Sequence, residues 1–129
     1  MKDLKELNIL LAEDNHINQR IAIITFRQLG ILIDIASNGQ EALEMYRQKC
    51  YDLILMDMQM PVMDGLESTR QIRAFEKETD PGHRVYIVAL TANIISDKKE
   101  DCIQAGMDDF IEKPFQEKML RDLFSKIFQ

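Results

Sequence analysis

The sequence predicts an α/β fold: a doubly wound (βα)5 unit built on a five-stranded parallel sheet. Three observations carry that prediction. Short apolar runs of strand length alternate with longer segments of helical periodicity, which is the pattern of repeated βαβ units. One run, Leu53-Ile54-Leu55-Met56, is continuously apolar, as a central strand buried on both faces requires. Chemistry-bearing residues follow the runs: Glu13-Asp14, Asp57, Thr91 and Lys113 each come directly after a strand-like segment. In a parallel sheet those five side chains converge at the carboxyl ends of the strands, the edge where open α/β sheets bind ligands.

The strand candidates are Asn8–Ala12, Ile31–Ala36, Leu53–Met56, Val85–Leu90 and a short one at Phe110-Ile111. Asp34 interrupts the second, which suits a sheet edge. Between them, Ile17, Ile21 and Ile24 recur at helical spacing, with Gly30 as the C-terminal cap. Asn38 caps a helix through Glu41-Ala42-Leu43 to Tyr46. Asp64-Gly65 opens a third helix running towards Phe75, and Ser96 starts a fourth that ends near Gly106. The last helix, Gln116–Phe128, carries Leu120, Leu123, Phe124 and Ile127 as its apolar stripe. The polar stretch Lys77–Arg84 reads as a Pro-Gly loop. No repeat or second domain is visible, so residues 1–129 are expected to form one domain.

The composition, 46% hydrophobic and 29% charged, is that of an ordinary globular protein. A net charge of −6 argues against direct nucleic-acid binding, which needs clustered Lys and Arg. No apolar run is long enough to span a bilayer. The N-terminal residues lack the apolar core of a secretory signal, so a cytoplasmic location is expected. Cys50 and Cys102 are too few for a disulfide framework or a zinc site and read as reduced thiols. No G-x-x-x-x-G-K or G-x-G-x-x-G is present, which removes P-loop and dinucleotide chemistry.

Each site residue has a bland reading beside the chemical one. Glu13-Asp14 suits a helix N-cap. Yet two adjacent carboxylates at a buried strand end repel unless a cation compensates, and magnesium favours such oxygens. Asp57 is either a turn residue before Gln59-Met60-Pro61 or a carboxylate nucleophile towards an activated phosphoryl group. Phosphoryl transfer needs positioning and charge neutralisation, which magnesium and Lys113 would supply. Thr91 alone is unremarkable in a strand. Pro114 fixes the turn after Lys113, and an X-Pro bond admits the cis form. His16 and His83 have no partner at metal spacing. Met56, Met58, Met60 and Met63 are better explained by packing.

Four segments together resemble response-regulator receiver domains: Ile9-Leu10-Leu11-Ala12-Glu13-Asp14-Asn15, Met56 through Gly65, Val88-Ala89-Leu90-Thr91-Ala92-Asn93, and Ala105-Gly106-Met107-Asp108-Asp109-Phe110 through Lys113-Pro114. Glu13-Asp14-Asn15, Asn18-Gln19 and the run from Met60 to Gly65 look most like the receivers of hybrid sensor histidine kinases. The resemblance implies a flavodoxin-like strand order 2-1-3-4-5 and Mg2+ as cofactor, with Mn2+ as a substitute. It implies that Asp57 accepts a phosphoryl group from a phosphohistidine and later loses it slowly. Asp14, Asp57 and the Gln59 backbone carbonyl would ligate the metal, with Glu13 acting through a metal-bound water. Lys113 would pair with the phosphoryl oxygens and Thr91 would hydrogen-bond to one of them. Thr91 and Phe110 would form the switch that re-presents the fourth helix, fifth strand and fifth helix. Ile94 and Ile95 follow on the loop expected to move, and Gln59, Ala92 and Asn93 flank the site.

The implied partner is a histidine kinase or a histidine phosphotransfer domain; the helices leave a weak homodimer open. Whether to class such a self-phosphorylating domain as an enzyme is undecided by sequence. The competing reading is a phosphorylation-independent pseudo-receiver, which usually lacks the aspartate or the acidic pair. A haloacid-dehalogenase-like phosphatase would need an aspartate where Gln59 stands. A flavodoxin would need a hydroxyl- and glycine-rich loop at Glu13-Asp14-Asn15-His16.

Overall fold

Apolar runs become strands in a computed structural model that describes residues 4–92, 99–113 and 116–128. After a single 3-10 turn at Leu4–Glu6, the order is β1 (Ile9–Ala12), α1 (His16–Gln28), β2 (Ile33–Ala36), α2 (Gly39–Gln48), β3 (Leu53–Asp57), α3 (Gly65–Thr79), β4 (Tyr86–Thr91), α4 (Lys99–Ala105), β5 (Asp109–Glu112) and α5 (Glu117–Ile127). The five strands form one parallel sheet in the order β2-β1-β3-β4-β5. That is the predicted topology, with β2 at an edge and β3 at the centre. Every residue of β3 is buried, including Asp57.

Alternation along the strands sorts side chains into two cores. Leu10, Ile54, Met56, Ile87 and Ala89 meet Leu43, Tyr46, Ile72 and Cys102 from α2, α3 and α4. On the other face, Ile9, Leu11, Leu53, Leu55, Val88 and Leu90 meet Ala22 and Phe26 of α1 and Leu120, Leu123 and Phe124 of α5. Successive strand residues point to opposite faces, so a strand covered by helices on both sides must be apolar throughout.

Register places the chemistry. Ala12 pairs with Met56 and Asp57 with Leu90, so Glu13, Asp57 and Thr91 reach the same sheet edge. Lys113 joins them because its N–H donates to the Thr91 carbonyl at 2.8 Å.

The helix starts are set by polar caps. Asn15 accepts from the Asn18 N–H, Asn38 from Glu41 and Asp64 from Glu67. Most strand ends shift from expectation by one residue, and three departures are larger. The second strand begins at Ile33 because Ile31 already buries itself in the core, leaving Leu32 exposed. The third helix runs to Thr79, shortening the polar loop. The isoleucine repeat of α1 marks a helix but not its core face: Ile17, Ile21 and Ile24 are exposed, while Gln19, Ala22 and Phe26 are buried. The proposed fourth-helix start at Ser96, the residues Asn93, Ile94 and Ile95, and Pro114 with its bond geometry lie outside the described residues.

At the amino ends of β4 and β5, Arg73 ties three elements together. Its guanidinium donates to Glu76 and Asp108, each at 2.8 Å, and to the carbonyls of Val85 and Gly106. Tyr46 and the Val85 N–H donate to Glu76, and Arg84 and the Ile87 N–H to Asp108. Neither cysteine forms a disulfide; Cys102 is buried and Cys50 exposed. Among the described residues, no helix is long and apolar enough to cross a membrane.

Candidate functional site

The residue that ends the central strand is the centre of the site. Asp57 is 4% exposed, and one carboxylate oxygen lies 3.0 Å from Lys113 Nζ. Its other oxygen accepts the Gln59 N–H at 3.2 Å, so the aspartate also fulfils the turn role that sequence left open. Gly65 backs this turn: a Cβ there would collide with the Asp57 carbonyl oxygen, so no other residue lets α3 start so close to β3.

Glu13 is equally buried, and β1 and α1 fix it from both sides. Its carboxylate accepts from the Asn15 N–H at 3.1 Å and Asn18 Nδ2 at 3.4 Å, and lies 3.3 Å from Lys113 Nζ. Gln19 donates to the Glu13 carbonyl at 2.6 Å from the buried face of α1. Asp14 is not the helix cap; Asn15 is. That leaves the exposed Asp14 carboxylate without a protein partner among the described residues.

Carboxylate oxygens of Glu13, Asp14 and Asp57 lie within 4.8 Å of one another. Among the described residues, one ammonium, that of Lys113, contacts this group of three like charges, through Glu13 and Asp57. Burial pulls the Lys113 pKa down, but Asp57 and Glu13 outweigh it and the net shift is upward. The lysine therefore stays charged across the neutral range. The residual negative charge and the all-oxygen donor set suit a hard divalent cation such as Mg2+ or Mn2+.

The cluster opens into a cavity of about 470 Å3 that Gln59, Thr91, Ala92, Lys99 and Phe110 also line. The structure thus gathers Glu13, Asp14, Asp57, Gln59, Thr91, Phe110 and Lys113 around one space; sequence order and spacing anticipated the acid pair, Asp57, Thr91 and Lys113, and the receiver resemblance implied Gln59 and Phe110. Sequence reasoning gave no role to Gln19, Asn18 or Lys99. The usable signal was Gln19, an amide on a helix face otherwise made of Ala22 and Phe26. The methionines divide as packing predicts, with Met56 and Met58 buried and Met60 against the core.

Known proteins share this sequence pattern and fold. The chain is 44% identical over 118 residues to hybrid signal transduction histidine kinase K of Dictyostelium discoideum, covering 89% of this chain and 10% of that protein. It thus spans a small part of such relatives. The receiver domain of a sensor histidine kinase from Pseudomonas aeruginosa PAO1, crystallised with a magnesium ion coordinated in the active-site cleft, superimposes with a TM-score of 0.83 at 40% identity, over 94% of this chain and 96% of that one. The receiver domain of Saccharomyces cerevisiae Ssk1, solved in complex with the histidine phosphotransfer protein Ypd1, gives a TM-score of 0.81 at 37% identity, over 98% and 89% of the two chains. Residues 9–125 match the response regulator receiver domain. With the strand order, the buried aspartate at the end of the central strand and the acid cluster in place, the chain belongs to the response regulator receiver domain family of phosphorelay signalling.

Proposed function

We propose that residues 1–129 work as one phosphoacceptor unit in which Asp57 takes a phosphoryl group from a phosphohistidine of a histidine kinase or a histidine phosphotransfer domain. The observation that carries this reading is the Asp57–Lys113 contact of 3.0 Å beside Glu13 and Asp14, at the carboxyl end of the central strand. An oxygen of the Asp57 carboxylate attacks phosphorus, the P–N bond breaks, and its electron pair stays on the imidazole, which then takes a proton from solvent. Asp14, Asp57 and the Gln59 carbonyl would hold magnesium, with Glu13 beside them; the ion would neutralise charge building on the phosphoryl oxygens. Lys113 contributes the second positive charge and Thr91 a hydroxyl donor to one oxygen. Thr91 and Phe110 then pass the change to α4, β5 and α5.

A donor must bring its phosphorus over the rim of the cavity, and α1 begins at that rim through Asn15 and Asn18. The exposed Ile17, Ile21 and Ile24 run on from there along one helix face. Such an apolar strip suits a helical donor surface, which would cover it while reaching Asp57.

The test is intact-mass measurement after incubation with a small acyl-phosphate donor, with and without magnesium. Wild type is expected to gain one phosphoryl group only with magnesium, and Asp57→Asn none. Label retained in the folded mutant would move the acceptor elsewhere. No label on wild type, even from a phosphohistidine donor, would favour the phosphorylation-independent module.

A further inference from the structure

Phe110 sits on β5 opposite Ala89, with its half-buried ring at the wall of the cavity that holds Asp57. It has no hydroxyl, so packing and contacts to its faces set its position. One such contact is with Lys99: its Nζ, from the first residue of α4, lies 5.5 Å from the ring centroid. A cation at that distance is attracted by the ring quadrupole. The backbone entering β5 is held separately, because Arg73 anchors the Gly106 carbonyl and the Asp108 carboxylate. The ring is therefore the movable part. Its present position is under Lys99, and the cavity between it and the carboxylates offers space for a second.

We propose that Lys99 is a positioning residue: its ammonium holds Phe110 in the resting seat and thereby lowers the site's readiness to accept a phosphoryl group. The inference rests on the acceptor and switch roles given above. An anion at Asp57 that draws Thr91 inward favours the ring-in state, so its apparent affinity scales with the fraction of molecules free to adopt that state. A cation–π contact at an exposed position shifts such a balance by about 2–5-fold. Lys99 also lines the cavity, and simple attraction of the incoming anion would act in the opposite direction. The sign of the effect therefore separates the two roles.

The experiment measures the affinity of the full chain for beryllofluoride, a phosphoryl-like anion, at saturating magnesium by titration calorimetry. Lys99→Met keeps the aliphatic stem and removes the charge; it is expected to tighten binding about 2–5-fold. Lys99→Arg keeps a cation over the ring and is expected to restore wild-type affinity. In a Phe110→Leu background, Lys99→Met is expected to change nothing, because the ring through which it acts is gone. Weaker or unchanged binding by Lys99→Met overturns the proposal, as does the same gain in the Phe110→Leu background. If wild type binds no beryllofluoride, the acceptor reading itself fails and takes this inference with it, an outcome distinct from either of those.

Discussion

Two clusters of buried charge occupy opposite edges of the same sheet and are built on opposite terms. At the amino ends of β4 and β5, two carboxylates, Glu76 and Asp108, face two guanidiniums, Arg73 and Arg84, and Tyr46 and two backbone N–H groups fill the remaining acceptor positions. At the carboxyl ends, among the described residues, Glu13 and Asp57 share one contacting ammonium, Lys113, and the neighbouring Asp14 has no protein partner. A balanced, saturated cluster has nothing left to bind. An acid surplus at a solvent-open cavity is destabilising alone and is relieved only by an added cation. The first arrangement serves the fold and the second serves chemistry.

The largest break in that contrast comes from Arg73. Replacing it by Met leaves Glu76 and Asp108 with buried charge, and Arg84, itself largely exposed, compensates only Asp108. Removing one partner of a buried pair costs about 3–5 kcal/mol. The denaturation midpoint is expected to fall by a corresponding amount without change in its magnesium response. A loss below about 1 kcal/mol would show that the corner is held by packing and not by the ion network.

Magnesium sharpens the contrast from the other side. A ligand that binds only the folded state adds about 2.7 kcal/mol at a concentration a hundred times its dissociation constant. Wild type is expected to gain stability in this way, as a rising thermal midpoint with magnesium. Asp14→Asn should be slightly more stable than wild type without the ion, because a repelling charge is gone, and should lose most of the gain. An equal magnesium shift in both proteins would place the cation away from the acid cluster.

The same contrast explains what the sequence allowed one to read. The acid pair, Asp57, Thr91 and Lys113 were legible because each follows a strand in a parallel sheet, where one register rule brings all strand ends together. The Arg73 corner was invisible: Asp108 is 35 residues away, and nothing local marks Glu76, near the end of an exposed-looking polar stretch, as buried. Helix α1 shows a different limit. Periodicity reveals a helix, but an apolar stripe meant for a partner and one meant for the core look alike. Here Ile17, Ile21 and Ile24 outscore Gln19, Ala22 and Phe26 in hydropathy yet face outward. The core accepted Gln19 because its amide has a specific acceptor, the carbonyl of Glu13.

The loop between β3 and α3 carries the smallest expected effect. Val62 has φ of +69°, a left-handed conformation in which a β-branched residue is a true outlier. The Met63 N–H donates to the Pro61 carbonyl at 2.7 Å across it, closing a tight three-residue turn. The side chain is 81% exposed, so no burial offsets this strain. Glycine adopts such a φ freely, although it also gains freedom in the unfolded chain. The balance for Val62→Gly is a stabilisation of about 1 kcal/mol, read from the denaturation midpoint, with magnesium-dependent phosphorylation from a small donor unchanged. Strain of this kind two residues from Met60 and five from Asp57, and a saturated network at the far edge, place the fold's surplus and its deficit at opposite ends of one sheet. If Val62→Gly instead destabilises, the turn is held by contacts of the valine itself, and the carboxyl edge of the sheet is less strained than its backbone indicates.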